Sequence, residues 1–426
     1  MDLSAYNIIS IIAIAFLTLM LILALFEPGL PYKVSSRDRI PLDSKEFLQM
    51  LEALVDSHVQ RNTTVEVLTN GDVFYEAELE AIRAARHSIN LEAYIFKRGE
   101  ITARFVEAMT ERARAGVRVN IVLDTIGSFG TWNSYFKELI EAGGRVEWYH
   151  PLRWYTLPRI NNRTHRELLI VDGEVGFIGG AGFADQWWKG KGKKRRWRDT
   201  MFRVRGCAVT NLQSVFAENW LEASGELLME KGYFPFSEAE SSAAVLVVDS
   251  SPSVGLSTRA RILFQSLLAS ATRSIYITTP YFLPDRSARQ EIKRAIAERG
   301  VVVKIITPGR HSDLLLTRRS SRRIYGELLR AGAEIYEYEP SMIHTKSLIV
   351  DGVWSVVGST NFDNRSFGLN DEVNLAAFDS GLAERLEEDF ARDLAHSRAV
   401  SYDDWKKRSI FERAHEWLGW ILERQQ

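Results

Sequence analysis

Cysteine is almost absent from this sequence, with Cys207 alone among 426 residues. A single thiol excludes a disulfide framework within the chain and argues against a cysteine-rich zinc site. No compact cluster of histidine and cysteine compensates for this scarcity. The sequence therefore predicts neither a metal nor another cofactor.

A charge excess of either sign is also lacking, because 54 Lys and Arg face 55 Asp and Glu, a net charge of −1. This balance excludes an argument about partners from net charge alone. The composition, 26% charged and 46% hydrophobic, is that of a globular protein with a large core. The length predicts two to three domains.

Charge is wholly missing from residues 8–26, a run of 19 residues. As a helix the run is about 28 Å long, enough to span a bilayer. A cleavable signal peptide is the alternative, but the only charged side chain before the run is Asp2, and no A-x-A-like site precedes Glu27. Basic residues follow the run and none precedes it, so we expect an uncleaved anchor with the rest of the chain in the cytoplasm.

What the sequence does contain is one motif that occurs twice. The copies are His165-x-Glu167-x4-Asp172-x6-Gly179-Gly180 and His344-x-Lys346-x4-Asp351-x6-Gly358-Ser359-x-Asn361. Aligned at the histidines, they share a Leu-Ile-Val-Asp-Gly block, the first glycine of the pair and a final phenylalanine. The repetition indicates a duplicated architecture.

The residue types of the motif suit phosphoryl transfer. In an extended segment, His344 and Lys346 point to the same face and can address one anion. One histidine can attack phosphorus, a second can protonate the leaving oxygen, and lysine can hold the nonbridging oxygens. The alternative is that each histidine is a satisfied strand-end residue and each aspartate a turn former, which the duplication disfavours.

With these motifs, the chain resembles the phospholipase D superfamily and, within it, the bacterial cardiolipin synthase branch, over nearly all of residues 60–426. The second half matches at TTPYFLPD (278–285), ITPGRHSD (306–313) and GSTNFDNRSFGLNDEVN (358–374); the first matches at Ile89-x-Leu91-Glu92-x-Tyr94-Ile95-Phe96 and Trp197-Arg198-Asp199-Thr200. These motifs are highly specific for the superfamily and only moderately specific for the lipid product.

The resemblance implies an α/β fold: a duplicated phospholipase D-like domain, with two pseudo-twofold-related mixed-sheet sandwiches flanked by helices, after an N-terminal transmembrane helix. We predict an anchor over residues 1–30, a juxtamembrane segment over 31–60, a first domain over 61–240, a second over 241–398, and a C-terminal amphipathic helix over 399–426.

The resemblance also implies roles for the site residues. His165 would be the nucleophile that becomes a phosphohistidine, and His344 the general acid and then base. Asp172 and Asp351 would orient the histidines, with the pairing left open, and Glu372 and Asp199 are candidates for the same role or ordinary surface carboxylates. Lys346 and Asn361 would stabilise the charge of the phosphorane, with Ser359 as a weaker candidate.

The first motif departs from the family pattern, with Glu167 where lysine is expected and Gly182 where asparagine is expected. A carboxylate about 4 Å from a phosphodiester costs on the order of 4 kcal/mol at an effective dielectric near 20. Glu167 must therefore turn away, bind a proton, or pair with a cation such as Arg163, Arg166 or the basic run near residue 195. The alternative is a first half that has lost catalytic power.

Residues 187–198 read WWKGKGKKRRWR, with seven basic residues and three tryptophans among twelve. Two glycines predict a loop, and the composition suits anionic phospholipid headgroups. Single-stranded nucleic acid or plain solvation are the alternatives. The expected lipid-surface residues are Trp187, Trp188, Lys193, Lys194, Arg195, Arg196 and Trp197.

The function that the resemblance implies is a metal-independent phosphatidyltransferase, converting two phosphatidylglycerol molecules to cardiolipin and glycerol through a phosphatidyl-histidine. We expect a single-pass protein of the inner, cytoplasmic membrane, with its catalytic body in the cytoplasm and no nucleic-acid partner. The alternatives are a phospholipase D hydrolase, a nucleic-acid phosphodiesterase, and a lipid-binding scaffold disabled by Glu167. The oligomeric state is left open.

Overall fold

The structure is a computed structural model that describes residues 5–26, 40–154, 161–190, 195–236, 239–241, 243–252 and 257–408. Lys193 and Lys194 lie outside the described residues. So does the predicted C-terminal helix beyond residue 408, although a short helix forms just before it, at Tyr402–Lys406.

The helices and strands alternate along most of the chain. The helices are α1 (Ala5–Phe26), α2 (Lys45–Val55), α3 (Gly71–Ala84), α4 (Glu100–Arg114), a 3₁₀ turn (Asn133–Phe136), α5 (Lys137–Glu141), α6 (Asp185–Trp188), α7 (Ala208–Ser224), α8 (Arg259–Ser270), α9 (Arg286–Arg299), α10 (Leu315–Ala331), α11 (Asn364–Gly368), α12 (Ser380–Ala395) and α13 (Tyr402–Lys406). The strands are β1 (Thr63–Thr69), β2 (Ser88–Ala93), β3 (Arg118–Asp124), β4 (Arg145–Tyr149), β5 (Arg163–Thr164), β6 (Leu168–Val171), β7 (Val175–Gly179), β8 (Thr200–Gly206), β9 (Ala244–Ser250), β10 (Ser274–Thr278), β11 (Phe282–Leu283), β12 (Val302–Pro308), β13 (Glu334–Tyr338), β14 (Ser347–Val350), β15 (Trp354–Gly358), β16 (Phe362–Asp363), β17 (Asn370–Phe378) and β18 (Ser397–Ala399).

The N-terminal hydrophobic run forms helix α1. Within the part of the chain that the structure describes, no helix combines the length and the apolar character needed to cross a membrane.

The two large sheets have the same strand order, which confirms the duplicated α/β fold. The first runs β1-β8-β7-β6-β2-β3-β4, and the second runs β9-β17-β15-β14-β10-β12-β13, with β18 added at its edge. In each, the last three strands of the order are parallel and the others are antiparallel. Each strand of the first sheet therefore has a counterpart at the same place in the second sheet.

The two repeated motifs form equivalent hairpins, β6-β7 and β14-β15. Their strands are apolar runs without polar alternation because both faces of each sheet are covered. The Asp-Gly pair of each motif makes a tight turn, with φ of 56° and 66° at Asp172 and Gly173, and 54° and 64° at Asp351 and Gly352. Asp and Gly tolerate this left-handed backbone better than other residues.

The inner faces of the two sheets pack on each other and on helices α7 and α12. Buried side chains of this shared core include Leu168, Ile170, Ile178, Phe202, Val245, Val247, Ile349, Val357, Val373 and Leu375. Helices α3 and α4 cover the outer face of the first sheet, and α2, α8, α9 and α10 that of the second. The predicted boundary between the two domains, at residues 240 and 241, lies between α7 and β9, and the domain boundaries stay predictions.

Short segments cross between the halves beside each histidine. Strand β5 lies directly before His165. It pairs in parallel with β17 of the second half through Arg163 and Asn370. The mirror contact is a parallel bridge between Arg198 of the first half and Ile343 of the second. These crossings position the site.

Candidate active site

His165 is held by the second half of the chain. Its backbone N–H donates to the carbonyl oxygen of Asp371 at 2.9 Å, and its Nδ1 lies 3.1 Å from both carboxylate oxygens of Glu372. Glu372 is fully buried and accepts a hydrogen bond from the Ser359 hydroxyl. Because an ionised carboxylate only accepts, the proton sits on Nδ1 and the lone pair on Nε2, the form required of a nucleophile.

His344 is held by the first half in the same way. Its backbone N–H donates to the carbonyl oxygen of Arg198 at 2.7 Å, and its Nδ1 lies 3.0 Å from Oδ2 of Asp199. Burial alone would raise the pKa of Asp199, but the hydrogen bond and charge of His344, with the charge of Lys346, lower it. Burial and the neighbouring ammonium of Lys346 lower the pKa of His344 itself.

Each histidine is thus paired with a carboxylate from the opposite half of the chain. His165 is 207 residues from Glu372, and His344 is 145 residues from Asp199. In each case the residue before the carboxylate receives the histidine backbone N–H. Glu372 and Asp199 therefore occupy the orienting positions, and neither is a surface group.

The expectation that Asp172 and Asp351 orient the histidines is wrong. The Asp172 carboxylate accepts the backbone N–H groups of Arg86, His87 and Ser88 at 2.7–2.9 Å. Asp351 accepts the N–H groups of the equivalent segment, 272–274. Each aspartate lies at the far end of its hairpin, one strand length away from the histidine, and anchors the start of the neighbouring strand.

Asp172→Ala is expected to cost stability rather than catalysis. Three backbone N–H groups would lose their carboxylate acceptor, which should lower the free energy of unfolding by on the order of 3 kcal/mol. The melting temperature should fall by several degrees, while the folded fraction keeps its turnover within about threefold of the parent. Asp199→Asn is the contrasting variant, with turnover reduced on the order of 100-fold or more at nearly unchanged melting temperature. If Asp172→Ala stays folded and loses turnover as Asp199→Asn does, the anchoring role is refuted.

Lys346 is the buried cation of the site. Its Nζ donates to the carbonyl oxygen of His344 at 3.0 Å and lies 2.8 Å from Nδ1 of that ring. Burial lowers the pKa of Lys346 to about 8, although the charges of the nearby carboxylates Asp199 and Glu372 oppose this shift. A methyl group on Gly180 would come within 2.7 Å of this Nζ. Glycine at that position of the first motif therefore gives the second-motif lysine its space.

Glu167 is buried and makes contact with backbone, not with the cations that the sequence offered. The N–H of Ile95 donates to its Oε1 at 3.4 Å. Arg163 and Arg166 instead bind Asp124 at 3.1 Å and Glu218 at 2.7 Å.

Burial also changes the protonation of Glu167. It raises the pKa of this carboxyl well above its ordinary value, although the Ile95 N–H and the Lys346 charge oppose the shift. The neutral acid is favoured, and its Oε2 has no hydrogen-bond partner among the described residues.

The two departures from the family pattern are neighbours in space. A Cβ at Gly182 would lie 3.1 Å from Oε1 of Glu167 and 2.7 Å from the carbonyl oxygen of Ile95. An asparagine could not be added at 182 without moving that backbone. At the equivalent position of the second motif, Asn361 is buried, and its Oδ1 has no partner among the described residues.

The prediction that Trp187 lies at a lipid surface is wrong. Its side chain is 0% exposed, and its Nε1–H donates to Oδ2 of Asp199 at 2.9 Å, the same oxygen that faces His344. Trp197 is half-buried, with its ring centroid 4.8 Å from that of Trp187 and 5.5 Å from that of His344. Both indoles form the wall behind the second histidine.

The remaining residues of the predicted lipid surface differ in their surroundings. Trp188 is half-buried, with the guanidinium of Arg104 above its ring at 5.3 Å. Arg196 pairs with Asp72 at 2.7 Å, and Arg195 is exposed.

Two tyrosines beside the histidines were not singled out from the sequence. The Tyr94 ring meets His165 edge-on at 5.3 Å, and the Tyr281 ring meets His344 edge-on at 6.5 Å. Both follow the equivalent strands β2 and β10. Their alignment in the segments LEAYIF and TPYFL was the signal that could have identified them.

Over the described ranges, no group of three or more His, Cys, Asp or Glu is placed to hold a metal ion.

The duplicated sheets and the two histidine motifs meeting at their boundary define a protein of the phospholipase D superfamily. The family model described as cardiolipin synthase, PLD-like domain, matches residues 79–220 and 264–394. Cardiolipin synthase 1 of Bacillus cereus is 35% identical over 388 residues, covering 88% of this chain and 76% of that protein. Cardiolipin synthase of Geobacillus kaustophilus is 33% identical over 391 residues, covering 90% and 77%. The chain therefore belongs to the cardiolipin synthase family.

The fold also matches that of a solved phosphatidylserine synthase. The crystal structure of phosphatidylserine synthase from Haemophilus influenzae matches 90% of this chain and 100% of its own, with a TM-score of 0.71. At 13% sequence identity this likeness shows the fold alone.

Proposed function

We propose that this protein is a cardiolipin synthase that transfers the phosphatidyl group of one phosphatidylglycerol to the terminal hydroxyl of a second. The observation that carries the proposal is the reciprocal pair of histidines, each oriented by a buried carboxylate of the other half, around one buried lysine. Two oriented imidazoles are what a two-step displacement needs, one as nucleophile and one as proton carrier.

In the first step, Nε2 of His165 attacks the phosphorus of the donor lipid. The bond from phosphorus to the glycerol oxygen breaks, and that oxygen takes a proton from His344, so glycerol leaves and phosphatidyl-His165 forms. Glu372 stabilises the positive charge that develops on the attacking ring. The arriving phosphodiester anion offsets the ammonium of Lys346, and this favours the protonated His344 that the step requires.

In the second step, the hydroxyl of the acceptor lipid gives its proton to His344 and attacks the phosphorus. The bond from phosphorus to nitrogen breaks, which releases cardiolipin and restores His165. Lys346 and the amide of Asn361 hold the nonbridging oxygens during both displacements. Water in place of the acceptor hydroxyl would use the same residues and yield phosphatidic acid.

We propose that Glu167 works as a neutral acid in this site. A protonated carboxyl adds no negative charge beside the phosphodiester and can donate a hydrogen bond where lysine would donate one. The burial of Glu167 and the lack of a hydrogen-bond partner for its Oε2 among the described residues support this role. The phosphate is then held by one ammonium, that of Lys346, and by one neutral donor, Glu167. The first half keeps its catalytic residues.

The substrate and location belong to the same proposal. The family relationship supports a phospholipid substrate, and the lysine-centred site suits an anionic phosphodiester. The uncharged run over residues 8–26 supports a single-pass anchor in the cytoplasmic membrane, with the basic residues after it favouring a cytoplasmic catalytic body.

The test is to incubate the full-length protein in detergent with phosphatidylglycerol and EDTA, and to follow lipids and glycerol by mass spectrometry. We expect cardiolipin and glycerol in equal amounts, both lost in a His344→Ala control. Phosphatidic acid without cardiolipin would identify a hydrolase instead. Binding to phosphatidylglycerol vesicles with no product would favour the scaffold.

A further inference from the structure

An exposed apolar cluster stands on the loop that follows strand β3. Ile126, Phe129 and Trp132 all project into solvent, with Phe129 70% exposed, and the rings of Phe129 and Trp132 meet edge-on at 5.7 Å. Single exposed apolar residues are common on soluble surfaces, but a contiguous aromatic cluster marks a site of interaction.

This loop is fastened to the wall of the active site. The Ser128 hydroxyl donates to the carbonyl oxygen of Tyr94 at 2.9 Å, and the N–H of Phe96 donates to Ser128 Oγ at 3.0 Å. Tyr94 in turn packs against His165. The apolar side chains are therefore held on a fixed base beside the proposed nucleophile.

The neighbouring loop, after strand β4, extends the cluster. Strands β3 and β4 are adjacent and parallel, so their carboxyl ends meet at one edge of the sheet, where the N–H of Thr125 donates to the carbonyl oxygen of Tyr149 at 3.3 Å. Leu152 and Trp154 follow that strand, and Trp154 is 83% exposed. Both loops thus present apolar groups at the same edge as His165.

The second half repeats the arrangement at the equivalent strand. Leu314 and Leu315 are exposed after β12, the counterpart of β3. The Tyr281 hydroxyl donates to the carboxylate of Asp313, immediately before them, at 2.8 Å, and its ring faces His344. Apolar groups therefore flank the site on both sides of the pseudo-twofold axis.

Exposed cations accompany these apolar groups. Lys97 and Arg98 directly follow the segment of Tyr94, Arg153 lies between Leu152 and Trp154, and Arg310 precedes the pair of leucines. Aromatic and aliphatic side chains interleaved with Lys and Arg are the composition of a surface that docks on anionic lipid.

We propose that these apolar residues, which we term the apolar rim (Ile126, Phe129, Trp132, Leu152, Trp154, Leu314 and Leu315), rest on an anionic lipid surface and open the site toward the headgroup layer. The proposal rests on the proposed function, because it explains how a two-chain lipid reaches His165 without leaving the bilayer. The apolar rim takes the role that the sequence analysis predicted for residues 187–197, where Trp187 and Trp197 instead lie behind His344.

Location is tested with a fluorophore on the full-length chain. In a Cys207→Ser background, Phe129→Cys is labelled with the environment-sensitive dye NBD and reconstituted into vesicles of phosphatidylcholine with phosphatidylglycerol. We expect a blue shift and quenching by doxyl-labelled lipid, with Phe236→Cys as matched control. Phe236 is 87% exposed at the opposite end of the first sheet, where Pro235 packs on the β6-β7 turn.

Function is tested by comparing substrate in vesicles with monomeric substrate. For the double variant Phe129→Ser and Trp132→Ser, the apparent KM for vesicle phosphatidylglycerol should rise about tenfold or more, because two apolar side chains no longer enter the interface. Turnover of dihexanoyl-phosphatidylglycerol below its micelle concentration should stay within about twofold of the parent. The control Met229→Ser and Phe236→Ser, at two apolar residues that are more exposed than Phe129 and Trp132, should change neither.

The outcomes separate this proposal from the proposed function. If the parent does not turn over the monomeric lipid or the vesicles, the proposed function fails. Equal losses on both substrates would mean damage to the site, and unchanged vesicle kinetics would mean that the rim does not dock; either result overturns the proposal. A blue shift that depends on protein concentration without lipid would identify an interface between copies and would also overturn it.

Discussion

His165→Ala is expected to abolish formation of a covalent phosphatidyl-enzyme, whereas His344→Ala should still form one from a donor with a good leaving group. A nitrophenyl ester of phosphatidic acid needs no proton on its departing oxygen, so the second histidine is dispensable in the first step. We expect His344→Ala to release one equivalent of nitrophenolate and then to stall, since activation of the acceptor lacks its base. With phosphatidylglycerol as donor, its turnover should fall on the order of 100-fold to 10,000-fold.

The carboxylate that orients each histidine lies in the opposite half, and substitutions of these carboxylates are the controls for this experiment. Glu372→Gln should weaken the nitrophenolate burst as a defect of His165, although Glu372 belongs to the second half. Asp199→Asn should leave the burst unchanged and slow the breakdown of the phosphatidyl-enzyme, because the defect lies in His344. Stopped-flow absorbance and mass spectrometry of the intact protein measure both. A lipid adduct on His344 in the His165→Ala variant would reverse the assigned roles.

Glu167→Lys, which restores the usual family residue, is expected to reduce turnover on the order of 100-fold. A second buried ammonium near Lys346 would repel it by several kcal/mol, since two unit charges 4 Å apart interact by about 4 kcal/mol at an effective dielectric of 20. Lys346 would respond by losing its proton near neutral pH, because burial already lowers its pKa to about 8. Glu167→Gln, a neutral group of the same shape, should keep turnover within about threefold of the parent.

Restoring both departures together should not rescue the enzyme. In Glu167→Lys with Gly182→Asn, the new side chain at 182 would approach the Ile95 carbonyl oxygen within 2.7 Å, so the backbone beside Tyr94 must move. Turnover and the melting temperature of the single and double variants are the measurements. Full activity of Glu167→Lys would mean that the site works with two lysines around the phosphate and would contradict the proposed role of a neutral Glu167. An inactive Glu167→Gln would show that the ionisable carboxyl itself is needed.

The sequence was sufficient for the elements that depend on local pattern. The alternation of strands and helices follows from apolar periodicity, and the Asp-Gly turns follow from the left-handed backbone that these residues tolerate. The duplication followed from two aligned motifs, and the order of the strands within each sheet came from the structure. The histidines and Lys346 were recognisable because their spacing puts them on one face of an extended segment.

The sequence did not determine which carboxylate serves which histidine, because Asp172 and Asp351 share the motif while Glu372 and Asp199 lie in the opposite half. Only the packing of the two sheets brings those distant residues within hydrogen-bonding distance. The same packing buries Trp187 behind His344 and leaves Phe129 and Trp154 in solvent, although all are aromatic residues in loops or short helices. Side-chain burial depends on what the neighbouring half covers, and this is a property of tertiary structure that local composition does not contain.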